Sequence, residues 1–135
     1  MASDELDKVE LPALEQLQSL GWSYVEGAQL SPDESDERSS LKDVVLEKRL
    51  TKSLKRINPW INDENLRKVI RELIKTLYSN LIEANQGIWT QINQCISVMQ
   101  DLGKGNKGQT VHIIDFEHPE NNEFLCTNQF KVSGV

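Results

Sequence analysis

From Leu66 to Ile82, apolar residues return every three or four positions: Leu66, Val69, Ile70, Leu73, Ile74, Leu77, Leu81 and Ile82. That spacing marks one face of a helix and predicts a helix over 64–83, begun by Asn62 or Asp63 as N-cap. A face this apolar has to be covered. Downstream the period changes. Ile96 and Val98 alternate with small or polar neighbours, the pattern of a strand half in and half out of a core. A chain that carries both periods must pack helices on a sheet.

The remaining elements fall around that pair. Leu6, Val9, Ala13, Leu14, Leu17 and Leu20 keep helical spacing, and Pro12 interrupts them. Proline suits the first turn of a helix and costs about 3 kcal/mol in its interior. The helix therefore either starts near Leu11 or kinks at Pro12, and Gly21 ends it. "WSYVEG" (Trp22–Gly27) predicts a strand. "QLSPDESDERSS" carries proline, serines and charges, so residues 31–39 are expected to be an exposed loop. Ser40 with Asp43 resembles a capping box for a helix running to Ile57. "NPW" (Asn58–Trp60) stops that helix, because the residue before proline resists helical geometry. A short helix over Gln86–Asn93 should bury Ile88, Trp89 and Ile92. "CISVMQ" is then the first of three strands, "GKGNKGQ" a flexible hairpin loop, Val111–Phe116 the second and Phe124–Val132 the third. The expected class is α+β (mixed α/β). Its N-terminal helices would pack on an antiparallel three-stranded meander within a single domain over 1–135.

Composition sets outer limits. With 135 residues, 38% hydrophobic and 27% charged, the chain can enclose a modest core. No apolar run approaches the roughly 20 residues that span a bilayer. "MASDELDKVE" is acidic and lacks the apolar stretch of a signal peptide, which implies the cytoplasm and no membrane partner. Cys95 and Cys126 then read as ordinary free strand cysteines. With two histidines and no CxxC, the ligands for zinc are too few.

Net charge is −6, which argues against wholesale coating of nucleic acid and leaves room for one local basic face. The segment 40–57 holds six cations, Lys42, Lys48, Arg49, Lys52, Lys55 and Arg56, against Asp43 and Glu47. Lys48, Lys52 and Arg56 stand four apart and share one helix stripe. Two readings remain for it: contact with DNA phosphates, which needs cations on a line but no base code, or a solvated helix face. "GKGNKGQT" has the outline of a phosphate loop, but Gln109 stands where the phosphate lysine belongs and a strand follows where a helix should. Its glycines suit turn geometry instead. Asp115, Glu117 and Glu120, and Asp33, Glu34, Asp36 and Glu37, could bind magnesium or keep a loop wet. Trp22, Trp60 and Trp89 could stack on bases, and their apolar flanks favour core packing.

Four phrases in order go further. They are "LEQLQSLGWSYVEG" (Leu14–Gly27), "ERSSLKDVVLEKRLTKSLKRINPWIND" (Glu37–Asp63), "LIEANQGIW" (Leu81–Trp89) and "VHIIDFEHPENNEFLCTNQFKVSG" (Val111–Gly134). Together they resemble the N-terminal region of the restriction (R) subunit of type I restriction–modification enzymes, HsdR, from about Glu10 to Gly134. The resemblance implies a restriction-endonuclease-like domain whose Asp…Glu-x-Lys carboxylates hold magnesium. It also implies an ATP-driven translocase in the rest of the subunit, and assembly on DNA with methylase and specificity subunits. In the family the Asp strand and the Glu-x-Lys strand follow "NQFKVSG", so the fold in hand is expected to be incomplete and inert as an enzyme by itself. An open sheet face of that kind would favour a homodimer. One catalytic residue carries over: Glu10, eleven positions before the glycine of "LGW", matches an acid that the first helix presents toward the metal. Pro12 departs from the family's pattern there and puts Glu10 at the helix start or just outside it.

Overall fold

Pro12 does not end the first helix; it changes how the helix is wound. The computed structural model describes residues 2–133, so Gly134, the last residue of the family-like phrases, lies outside the described residues. Helix α1 (Ala2–Glu5) passes into a π-helical turn (Leu6–Glu10) and then into α2 (Leu11–Ser19). Proline has no N–H to give to the carbonyl one turn back. The chain adapts by a wider turn, in which the Leu11 N–H reaches the Leu6 carbonyl five residues behind it. At the other end the Gly21 N–H bonds to the Gln18 carbonyl and the Trp22 N–H to the Leu17 carbonyl. Gly21 sits at φ +100, the left-handed residue that this style of helix ending requires.

The chain divides into two units, residues 1–46 with 123–135 and residues 47–122. In the first, β1 (Ser23–Glu26) pairs in parallel with β4 (Leu125–Asn128), Tyr24 opposite Cys126 and Glu26 opposite Asn128. Trp22 tilts against Phe124 with ring centroids 5.2 Å apart. Leu14, Leu30 and Cys126 are buried. A 3-10 turn (Gly27–Leu30) follows β1, and residues 31–46 form turns and bends only. The helix expected from Ser40 is absent there. Asp43 does reach back to the Ser39 and Ser40 N–H groups. The Leu41 and Asp43 carbonyls, however, accept from the buried Arg38 guanidinium instead of continuing a helix.

In the second unit α3 (Glu47–Ile57), α4 (Asp63–Leu77) and α5 (Leu81–Gln94) lead into a hairpin of β2 (Ile96–Asp101) and β3 (Asn106–Val111). The hairpin is antiparallel, with Ile96 opposite Val111 and Asp101 opposite Asn106. Its core joins Leu54, Ile61, Leu66, Val69, Ile70, Leu73, Ile96, Val98 and Val111. "NPW" earns its place through Asn58. Its fully buried side chain donates to the Leu54 and His112 carbonyls and accepts the His112 N–H. Asn62 caps α4 by accepting the Asn65 N–H at 2.8 Å. Asn65 and the Asn62 N–H in turn donate to the Gln100 side chain, which ties α4 to β2.

Several expectations change. The three-stranded meander does not form, because β4 pairs with β1 and leaves β2 and β3 as a two-stranded hairpin. The second strand lies at Asn106–Val111, not Val111–Phe116: backbone pairing with β2 decides, although "NKGQT" has no apolar alternation. The tight turn is held by Asp101, whose carboxylate accepts the Gly103 and Gly105 N–H groups. The long helix expected over 64–83 breaks after Leu77, where Asn80 caps α5 by accepting the Glu83 N–H. Leu81 and Ile82 then point outward, 77% and 78% exposed, and Trp89 is 69% exposed rather than core. Helix α5 fully buries only Ala84, and Trp89 lies a residue past the inward Ile88.

Candidate functional site

The π-helical turn ends on Glu10, and the carboxylate there meets the end of β4. Asn128 Nδ2 donates to Glu10 Oε2 at 3.1 Å, and Gln129 Nε2 donates to Glu10 Oε1 at 2.5 Å. Each oxygen of one carboxylate is thus held by a separate side-chain amide. The Tyr24 hydroxyl donates to Asn128 Oδ1 at 2.7 Å. The polarity of this chain is forced. An ionised carboxylate only accepts, so both amides must turn their NH2 groups toward it. That leaves Asn128 Oδ1 facing Tyr24, and the phenol must be the donor. Burial, then the charges of Glu26 and Glu10, push the Tyr24 pKa up, which keeps that proton in place.

Backbone geometry brings the amides to this position. Gln129 has φ +50, a left-handed conformation uncommon outside glycine. Beside it runs Gly27. A Cβ on Gly27 would stand 2.2 Å from the Asn128 carbonyl oxygen and 2.5 Å from that of Gln129, so only glycine permits the approach. Phe130, the third residue of "NQF", stacks under the Arg38 guanidinium, whose carbon lies 4.2 Å from the ring centroid. Arg38 also donates to the Lys131 carbonyl.

The basic residues Lys48, Arg49, Lys52 and Arg56 all stand on α3, in the second unit. Lys48, Lys52 and Arg56 are exposed and Arg49 is half-buried. Arg56 is engaged within its own unit. Its Nε donates to the Asn121 carbonyl at 2.6 Å and an Nη to Ser53 Oγ. Lys55 donates to the Ile61 carbonyl.

Among the other candidate acids, Asp115 is tied into its own turn. Asp115 accepts the Glu117 and His118 N–H groups and the Asn121 side chain, while Asn122 donates to the Asp115 and Pro119 carbonyls. The Asn121 amide first, and the His118 N–H second, hold its carboxyl below the usual aspartate value. Both cysteines are free. Cys95 is not in a strand: it ends α5 at φ +65, with Sγ 3.4 Å from His112 Nδ1. Among the described residues no three His, Cys, Asp or Glu side chains come together to hold a metal ion. Magnesium is often held by one or two protein carboxylates, with water and phosphate completing its shell. Glu10 fits as one such ligand, since each of its oxygens keeps a lone pair beyond the amide it accepts. Sequence reasoning singled out Glu10 and missed Tyr24, Asn128 and Gln129. The signals for them were the phrases "WSYVEG" and "NQF", which lie far apart in the chain.

A family model described as the type I restriction enzyme R protein N terminus matches residues 3–135. The chain is 33% identical over 124 residues to a putative type I restriction enzyme MjaIXP endonuclease subunit of Methanocaldococcus jannaschii, a match covering 92% of this chain and 12% of that protein. It is 29% identical over 125 residues to the type I restriction enzyme HindI endonuclease subunit of Haemophilus influenzae, covering 92% and 12%. The chain thus spans about an eighth of the length of these relatives. No solved structure matches it.

Proposed function

Because the chain belongs to the R protein N-terminus family of type I restriction enzymes, we propose that it forms the leading part of a nuclease domain and supplies Glu10 to that domain's centre. The parent subunit cleaves DNA with magnesium, moves DNA with ATP, and assembles with methylase and specificity subunits in the cytoplasm. Among the described residues no helix is long and apolar enough to cross a membrane. The carrying observation is the Glu10 carboxylate, held by both oxygens at the end of a π-helical turn, a distortion that often marks functional positions in helices.

Magnesium, when bound, polarises the scissile phosphate and lowers the pKa of its water. The chain's own residues hold the Glu10 carboxyl group by both oxygens. On this reading Glu10 is one of several acids of the centre and does not cleave DNA alone. Replacing Glu10 in a full-length subunit tests this. Glu10→Ala abolishes DNA cleavage in the assembled enzyme, and cleavage at the normal rate would remove the assignment.

A second reading, a DNA-binding or interaction module without chemistry, draws on the exposed Lys48 and Lys52 of α3. With Arg56, such a stripe meets about three phosphates, for which log affinity falls against log salt with a slope of about −3. Binding with no salt dependence dismisses it.

A further inference from the structure

We propose that Asn128 and Gln129 are the positioning residues for Glu10. Two amides grip one oxygen each, and Tyr24 fixes the direction in which the grip donates. The inference rests on the reading of Glu10 as a catalytic acid and adds what makes that acid usable. Glu10 is the last residue of the π-helical turn. The residues that hold it arrive from the opposite end of the sequence, at the point where β4 stops.

Three independent features converge on that point. Asn128 and Gln129 contact different oxygens of the same carboxylate, at 3.1 and 2.5 Å. Gln129 adopts φ +50, an unfavourable backbone for its residue type, and thereby places its side chain beside that of Asn128. Gly27 has its Cβ position filled by the carbonyl oxygens of the same two residues. A single hydrogen bond tying a helix to a strand would need none of this. A grip on both oxygens restricts rotation of the carboxylate about its last bond and leaves one lone pair on each oxygen pointing away from the amides.

The test uses the full-length subunit assembled with its companions. Asn128→Ala and Gln129→Ala each lower cleavage 10- to 100-fold, the usual cost of removing a group that orients a metal ligand. Hydrogen exchange at the Leu6–Leu11 amides rises in both, a readout independent of cleavage. Both variants bind DNA as the parent enzyme does and lose kcat, whereas a folding defect loses binding and turnover together. If Glu10→Ala cuts normally, the reading of Glu10 fails. If Glu10→Ala is inactive but Asn128→Ala and Gln129→Ala cut and exchange like the parent, the positioning role is overturned. It is equally overturned if the two variants lose DNA binding in the same proportion as cleavage, as a simple folding defect would.

Discussion

Arg38 sits in a segment rich in serine and charge, yet it is only 3% exposed. Its guanidinium donates to the Asp43, Lys131 and Leu41 carbonyls at 2.7, 2.9 and 2.8 Å, and it covers the Phe130 ring. A buried arginine without partners would be costly; one with three carbonyls and a ring face is a clamp. Arg38→Ala takes this donor from the Asp43 and Lys131 carbonyls, while the Leu41 carbonyl keeps the Ser133 N–H, and destabilises the fold by about 3 kcal/mol in urea unfolding; a loss below about 1 kcal/mol would contradict the clamp. Asp115 makes a prediction in pH. Its carboxyl titrates below the ordinary value because the folded turn favours the charged form. The stability it adds is present above about pH 4 and is lost as pH falls through the folded-state value. Asp115→Asn therefore flattens the decline of stability on acidification, measured as urea midpoints across a pH series. Neither residue advertised itself. "DERSS" reads as solvated because local composition carries no word of Lys131 or Phe130, and Asp115 read as one loop acid among many until the N–H groups around it were placed.

The elements were legible where their signal is local. The apolar periodicity of α4, the Asn62 cap and the stop at "NPW" all stand in the structure, because each rests on neighbours within one or two turns. Boundaries failed where distant partners decide: α3 starts at Glu47 rather than Ser40, and β3 forms from residues with no strand pattern. Asn58 shows why "NPW" does more than end a helix. Besides stopping α3, its side chain ties the end of that helix to His112, just past β3. Asn58→Ala takes this partner from the His112 carbonyl and N–H inside the second unit, while the Leu54 carbonyl keeps the backbone N–H of residue 58, and should cost about 3 kcal/mol. The check is chemical unfolding followed by tryptophan fluorescence. A midpoint unchanged within error would show that the amide is dispensable.

At the scale of the whole chain, the helices-and-sheet class was readable, and the way the strands pair was not. A third strand next in sequence is the default partner for a hairpin, and here β4 goes to β1 instead. The candidate site shared that fate: Glu10 was visible through resemblance, and the groups that hold it were hidden by distance along the chain. Two-stranded sheets leave open edges, and Leu81, Ile82 and Trp89 leave apolar surface on α5. The isolated chain is therefore expected to self-associate at high concentration, and a monomer mass by light scattering would refute this. The pairing of β1 with β4 also dictates an order of events during synthesis. Tyr24 and Asn128 are 104 residues apart, so the ribosome must deliver nearly the entire segment between them before the first unit can close. The helix that carries Glu10 is made long before the strand end that grips it, and has to wait for it.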